Sequence, residues 1–337
     1  MPALERLWYG GSRWSLLLLP LSWIFGVVTG LRRALYRRGW LAAEHLPVPV
    51  IVVGNITVGG TGKTPLLICL AQLLSRRGYA VGIISRGYGG QGARYPLTVD
   101  AVTEPQTGGD EPTLIAQSTG LPVVVDPDRP RAARTLMQLH RVNVILSDDG
   151  LQHYRLARDY EIAAVDGQRR LGNGRLLPAG PLREPPRRLK RVDCVLVNGG
   201  ESWEAGFHLR QQPARALHDG RERALAAFRG TPVHALAGIG HPQRFFRQLR
   251  DLGLELIAHP YPDHHRFVPA DLRFADDYPV LMTEKDAVKC RALQAQLEAG
   301  RYWYVPVRAE LNDLALKALD DLWRRLPPVA ATETAHG

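Results

Sequence analysis

Residues 48–65, VPVIVVGNITVGGTGKTP, constrain the fold more than any other part of this chain. An apolar, β-branched run ends in a glycine-rich loop, and Gly62-Lys63-Thr64 closes the loop. The following TPLLICLAQLLSRRGY has the period of an amphipathic helix, with Pro65 in its first turn and Gly78 at its expected end. Strand, glycine loop and helix in that order predict a phosphate-binding α/β unit. Small residues let successive backbone N–H groups converge on an anion at a helix N-terminus, where the helix dipole adds positive potential. The full pattern G-x-x-x-x-G-K-[ST] asks for glycine at position 57, where this chain has Thr57. The candidate nucleotide-binding residues are therefore Thr57, Val58, Gly59, Gly60, Thr61, Gly62, Lys63 and Thr64. Lys63 is expected on the β- and γ-phosphates of ATP, and the Thr64 hydroxyl on Mg2+.

The alternation continues through YAVGIISRGYGG, LPVVVDPDRPRAARTLMQL, VNVILSDDG and YEIAAVDG, which predicts a parallel sheet covered on both faces. VNVILSDDG delivers Asp148 and Asp149 to the C-terminal end of a strand, where such sheets place ligands. A carboxylate there is the usual second partner of a P-loop Mg2+. Residues 172–186, GNGRLLPAGPLREPP, read as a long shaped loop. A break near residue 200 is followed by a second alternating series, VHALAGIG to YWYVPV. The expected architecture is α/β: a P-loop NTPase-type α/β/α domain over 46–200, a second, smaller α/β/α domain over 201–337, and an N-terminal helical segment over 1–45. The tail AATETAHG is expected to fray.

A length of 337 residues accommodates two domains, and 45% apolar with 23% charged residues describes a globular chain. The net charge of +10, carried mostly by arginine, suits anionic partners: nucleic acid, phospholipid or a phosphorylated substrate. Zinc fingers, aromatic stacking motifs and long Lys/Arg blocks are missing, which argues against nucleic acid. Cys69, Cys194 and Cys290 are widely spaced and unpaired in pattern, which fits buried thiols in a reducing compartment. Residues 14–31, WSLLLLPLSWIFGVVTGL, carry no charge and are bracketed by Arg13 and by Arg32, Arg33, Arg37 and Arg38. Interrupted by Pro20 and Gly26, the segment reads as a helix lying in a membrane interface with arginines on anionic lipid. A single span, a signal peptide and a buried helix are the alternatives.

Two further strings carry titratable groups. GGDEP places Asp110 and Glu111 in a glycine-flanked turn before a helix, where a capping role is the simplest reading. YPDHHRF places Asp263, His264 and His265 in a loop, as a base dyad or a solvated pair.

Taken together, VGNITVGGTGKTP, ISRGYGG, GDEP, SDDGLQH, PAGPLREP, LAGIGHPQRFF, PDHHRF and TEKDAVK resemble the tetraacyldisaccharide 4′-kinase family, in the family's order from about residue 50 to 290. In that family a threonine at the start of the loop is usual, so Thr57 supports the resemblance. The resemblance implies transfer of the γ-phosphate of ATP to the 4′-hydroxyl of a tetraacylated glucosamine disaccharide 1-phosphate, a lipid A precursor. It places the enzyme on the anionic cytoplasmic face of a bacterial inner membrane, held by a peripheral or single N-terminal anchor. Lys63 and Thr64 match phosphate and Mg2+ ligands, with Asp148, Asp149 and Glu184 at the metal. Asp110 matches a proposed base and His264 its partner, His265 being the competing choice. Ser85, Arg86, Gln152, His153 and Arg183 fall in motifs lining the cleft. With Asp110 and His264 in different expected domains, their pairing calls for domain closure, which also expels water. For TEKDAVK the expectation is a salt-bridged strand end around Lys285 and Asp286.

Two other readings fit part of the chain. A partition or switch ATPase shares a G-G-x-G-K-T loop, but its signature lysine stands where this chain has Val58. A cytosolic small-molecule kinase would need residues 14–31 to be a buried helix.

Overall fold

Five apolar runs between residues 50 and 198 become a parallel core. In spatial order they are Cys194–Asn198, Tyr160–Asp166, Val50–Gly54, Val144–Asp148 and Val81–Ser85. Val50–Gly54 and Val144–Asp148 are buried along their whole length, as strands covered on both faces must be, and so they read as unbroken apolar runs. The helices Lys63–Arg76 and Arg129–Leu139 pack on this sheet. The computed structural model describes residues 3–90 and 94–328, and the chain divides into two compact units. The first unit takes the chain up to Arg86, then Asp128–His208, then from Glu310 onward. The tail AATETAHG lies outside the described residues.

The second unit takes Gly87–Pro127 and Leu209–Ala309. Its parallel strands run in the order Leu256–Pro260, Val233–Ala237, Val280–Thr283 and Tyr302–Val305, and Ala214–Ala216 continues the sheet antiparallel. Phe245, Phe246 and Leu249 of helix Pro242–Asp251 enter a core with Val233, Ala235, Leu281 and Trp303. The antiparallel pair Leu97–Val99 and Val123–Val125 flanks helix Asp110–Thr119, which packs on helix Glu284–Cys290. Cys194 and Cys290 are buried free thiols, and Cys69 is half-buried.

The N-terminal segment departs from the sequence expectation in one respect. Pro20 does not interrupt a helix. It sits in the first turn of Leu19–Arg37, where its missing N–H has no intrahelical partner to lose. That helix runs unbroken through Gly26, where a Cβ would come within 2.8 Å of Leu176 Cδ1. Trp14, Leu17, Trp23 and Val27 are each about 70% exposed, and only 11% of the apolar window is buried. The segment is therefore not a core helix. Residues 13–37 form one helical stretch long and apolar enough to cross a membrane, by length and composition.

Candidate active site

The phosphate loop owes its shape to two glycines. Gly59 and Gly62 adopt φ of 105° and 84°, in the region L side chains avoid, and a Cβ on Gly62 would also meet Asn198 Nδ2 at 2.7 Å. Position 57 needs no such freedom. Thr57 forms an antiparallel bridge with Leu182, Val58 N–H donates to Pro181 O at 2.8 Å, and Arg183 N–H donates to Ile56 O at 2.7 Å. The start of the loop is thus tied by an isolated bridge and two main-chain bonds to the 172–186 segment. A β-branched residue suits that geometry, and the Thr57 side chain is buried there. Gly60 is exposed, Thr61 is buried, and Lys63 and Thr64 open the following helix half-buried.

Register places the carboxylates. Val53 pairs with Asp148, so the pair of aspartates ends beside the loop. Asp148 is buried and its Oδ2 accepts from the Ser85 hydroxyl at 2.9 Å, while Arg129 donates to its main-chain oxygen at 2.6 Å. Asp149 turns at φ 47°, so its side chain diverges from that of Asp148. Arg183 donates to Asp149 Oδ2 at 2.8 Å, and Lys63 Nζ stands 3.7 Å from Oδ1, which is buried and accepts no hydrogen bond among the described residues. Burial alone would raise the Asp149 carboxyl, but Lys63, Arg183 and Arg129 outweigh it and hold it below the usual carboxylate range.

Glu184 is placed differently. It is buried, with Gln152 Nε2 on Oε1 at 2.8 Å, Tyr154 Oη on Oε2 at 2.6 Å, and Arg33 and Arg188 at 3.4 and 3.3 Å. Both its oxygens accept hydrogen bonds, and Oε1, with Gln152 as its donor, keeps a lone pair that a metal could use. Gln152 also donates to Asn55 O at 3.1 Å. Arg86 is exposed at the end of strand Val81–Ser85.

His153 is pushed down to about 4 by burial, with Arg129 and Arg86 adding to the effect against Asp149. It is uncharged at neutral pH. Between its ordinary value of 6.5 and about 4 the unfolded chain binds a proton that the folded chain does not. Its contribution to stability is therefore complete above the ordinary value and is lost as pH falls toward the folded one. The urea midpoint of His153→Gln should fall less between neutral pH and about pH 5 than that of the parent protein. Equal falls would show that His153 does not set this limb.

The N-terminal segment grips the same loop system. Trp8 Nε1 donates to Pro178 O at 2.9 Å, Ser22 Oγ donates to Leu176 O at 2.8 Å, and Arg175 donates to Ser15 Oγ. With the Arg33–Glu184 pair, these contacts tie residues 8–33 to 175–184, which are zipped in turn to residues 56–58. The sequence pattern held no signal for this chain of contacts, because each one joins residues more than 120 apart.

In the second unit Asp110 Oδ2 and His264 Nδ1 are 3.0 Å apart. Asp110 is not a helix cap: Gly109 at φ 91° takes that place without a side-chain bond, and Asp110 and Glu111 form the first turn. His264 holds φ 61°, with its N–H donated to Asp263 Oδ1 at 3.1 Å and its ring edge-on to Tyr88. His265 turns away to Asp271, Nε2 to Oδ2 2.9 Å, so the geometry selects His264 as the partner. Because both members belong to the second unit, the pair needs no domain closure to form. Asp110 and His264 line a pocket with Gly89, Arg266 and Lys289. The TEKDAVK string carries ion pairs at a helix start: Asp286, fully buried, accepts from Gly238 N–H and the Thr283 hydroxyl and pairs with Lys289 at 2.7 Å.

A parallel sheet, a glycine loop presenting lysine and threonine at a helix N-terminus, and a carboxylate strand beside it define a P-loop nucleotide-binding protein. A family model described as "Tetraacyldisaccharide-1-P 4′-kinase" matches residues 14–324, and the chain belongs to that family. Tetraacyldisaccharide 4′-kinase of Nitrosococcus oceani is 51% identical over 91% of this chain and 90% of its own length. The protein of that name from Methylobacillus flagellatus is 51% identical over 95% and 96%. The fold is shared with a crystal structure described as the "apo" form of LpxK from Aquifex aeolicus in complex with ATP, at a TM-score of 0.77 and 28% identity, covering 93% of this chain and 99% of that one. The family match sets aside the partition-ATPase and soluble-substrate kinase readings.

Proposed function

We propose that this chain transfers the γ-phosphate of ATP to the 4′-hydroxyl of a tetraacylated glucosamine disaccharide 1-phosphate. The observation that carries the reading is a phosphate loop whose Lys63 stands against the anionic Asp149, in a chain half identical to tetraacyldisaccharide 4′-kinases over nine-tenths of their length. Lys63 leaves Asp149 for the transferred phosphate when ATP binds, and Arg183 keeps the carboxylate in place. The uncommitted, buried Oδ1 of Asp149 and the Thr64 hydroxyl are suited to Mg2+. No cluster of three or more His, Cys, Asp or Glu side chains able to hold a metal lies among the described residues. An Mg2+ held by Asp149 and Thr64 would neutralise charge that develops in phosphoryl transfer. Asp148 backs this carboxylate, and Glu184 braces the loop. Asp110 accepts the proton of the 4′-hydroxyl, and His264 orients Asp110. The exposed tryptophans and leucines of residues 14–31 enter the inner-membrane interface, with the flanking arginines on anionic lipid, on the side where ATP is available.

The test is incubation of the full chain with labelled ATP, Mg2+ and the lipid disaccharide 1-phosphate. The expected result is label at the 4′-position that depends on both ATP and Mg2+. Folded protein that produces no labelled lipid would sink the proposal.

A further inference from the structure

Lys285 is the feature of the second unit that the reaction scheme leaves unused. Its Nζ lies 3.3 Å from Glu111 Oε1 and 3.5 Å from Asp263 Oδ1. Glu111 follows Asp110 in the chain and Asp263 precedes His264, so one ammonium joins the immediate neighbours of both members of the 3.0 Å pair. The two segments share no local structure: one is the first turn of helix Asp110–Thr119, the other a loop in which His264 holds a left-handed backbone. Asp263 Oδ1 accepts the N–H of His264, so the carboxylate that Lys285 grips is the one that fixes that backbone turn. Lys285 itself is held firmly. It sits in the first turn of helix Glu284–Cys290, whose Asp286 is fully buried and bonded to Gly238 and Thr283. Burial alone would lower the Lys285 ammonium, but Glu111, Asp263 and Asp110 outweigh it and hold it above the ordinary lysine value, so it stays charged.

We infer that Lys285 is a positioning residue for phosphoryl transfer, an ionic clasp that holds Asp110 and His264 in register through Glu111 and Asp263. It acts through these two carboxylates, not on the reacting atoms. It fixes the aim of the pair and so acts on turnover, in the way that small misplacements of a reacting group cost rate. The inference rests on the reading of Asp110 and His264 as the proton-accepting pair.

The experiment compares Lys285→Met, which keeps length and removes charge, with Lys285→Arg, and repeats Lys285→Met in a Glu111→Gln/Asp263→Asn background. Lys285→Met should lower kcat about tenfold or more while the KM for ATP stays within about twofold. Lys285→Arg should recover most of the loss. In the double-variant background Lys285→Met should add little, because the groups it acts through are gone. A Lys285→Met enzyme with unchanged kcat, a loss that arginine does not restore, or a loss fully additive with the double variant overturns the clasp. Asp110→Ala, measured alongside, separates the two readings. If it is active, the base assignment fails. If it is inactive while Lys285→Met is normal, only the clasp fails.

Discussion

Asp110→Ala should lower kcat about a thousandfold, within the range a positioned general base contributes, and leave the KM for ATP nearly unchanged. The residues assigned to ATP, 57–64, lie in the first unit, whereas Asp110 belongs to the second. His264→Asn should cost about ten- to a hundredfold, since an orienting partner contributes less than the group that takes the proton. Asparagine is the better substitution because it tolerates the left-handed backbone that position 264 requires, so a loss reports the imidazole and not the turn. A protein lacking both side chains should be no slower than Asp110→Ala, the mark of residues acting as one unit. Steady-state kinetics with the lipid acceptor decides the matter. A fully active His264→Asn breaks the pairing, and an active Asp110→Ala removes the base.

The other large effect belongs to Lys63. Lys63→Ala should reduce kcat/KM for ATP by about a thousandfold or more, because it removes the side-chain ammonium expected on the transferred group. Asp149 then loses the ammonium that stands 3.7 Å from its Oδ1 and keeps Arg183 at 2.8 Å on Oδ2. Asp149→Asn should instead act through the metal, raising the Mg2+ concentration for half-maximal rate by about tenfold or more. A Mg2+ titration of the two variants separates these roles. An Asp149→Asn enzyme with the parent's Mg2+ requirement would show that the carboxylate does not serve the ion.

Strand, glycine loop and helix were legible because each obeys a local rule: β-branched residues in buried strands, glycine at positive φ, proline in a first turn. The carboxylates beside the loop were legible for the same reason, since a parallel register of Val53 with Asp148 leaves little choice about where the strand ends. Thr57 departs from the glycine of the general pattern, and what the motif does not encode is that this position forms a bridge to Leu182. What local rules could not supply was the choice of distant partners. Nothing in residues 87–127 signals that they pack with 209–309, and for that reason Asp110 and His264 were expected to need closure to meet. Glu184 was legible as a carboxylate near the right loop, whereas its partners Gln152, Tyr154, Arg33 and Arg188, drawn from three separate segments, were not. Lys285 and Asp286 were visible as an ionic string, and only the fold revealed which carboxylates they meet.

The tethering of residues 8–33 to 175–184, and of these to the start of the phosphate loop, bears on how such a protein is made soluble. Trimming the N-terminal segment would strip Leu176, Pro178 and Arg175 of these partners, take Arg33 from Glu184 and loosen the brace behind Thr57. A detergent-free variant is better reached by recolouring the outward face: polar residues at Trp14, Leu17, Trp23 and Val27, with Trp8, Ser15, Ser22, Gly26 and Arg33 left as they are. In this chain the exposed apolar helix doubles as scaffolding for the phosphate loop.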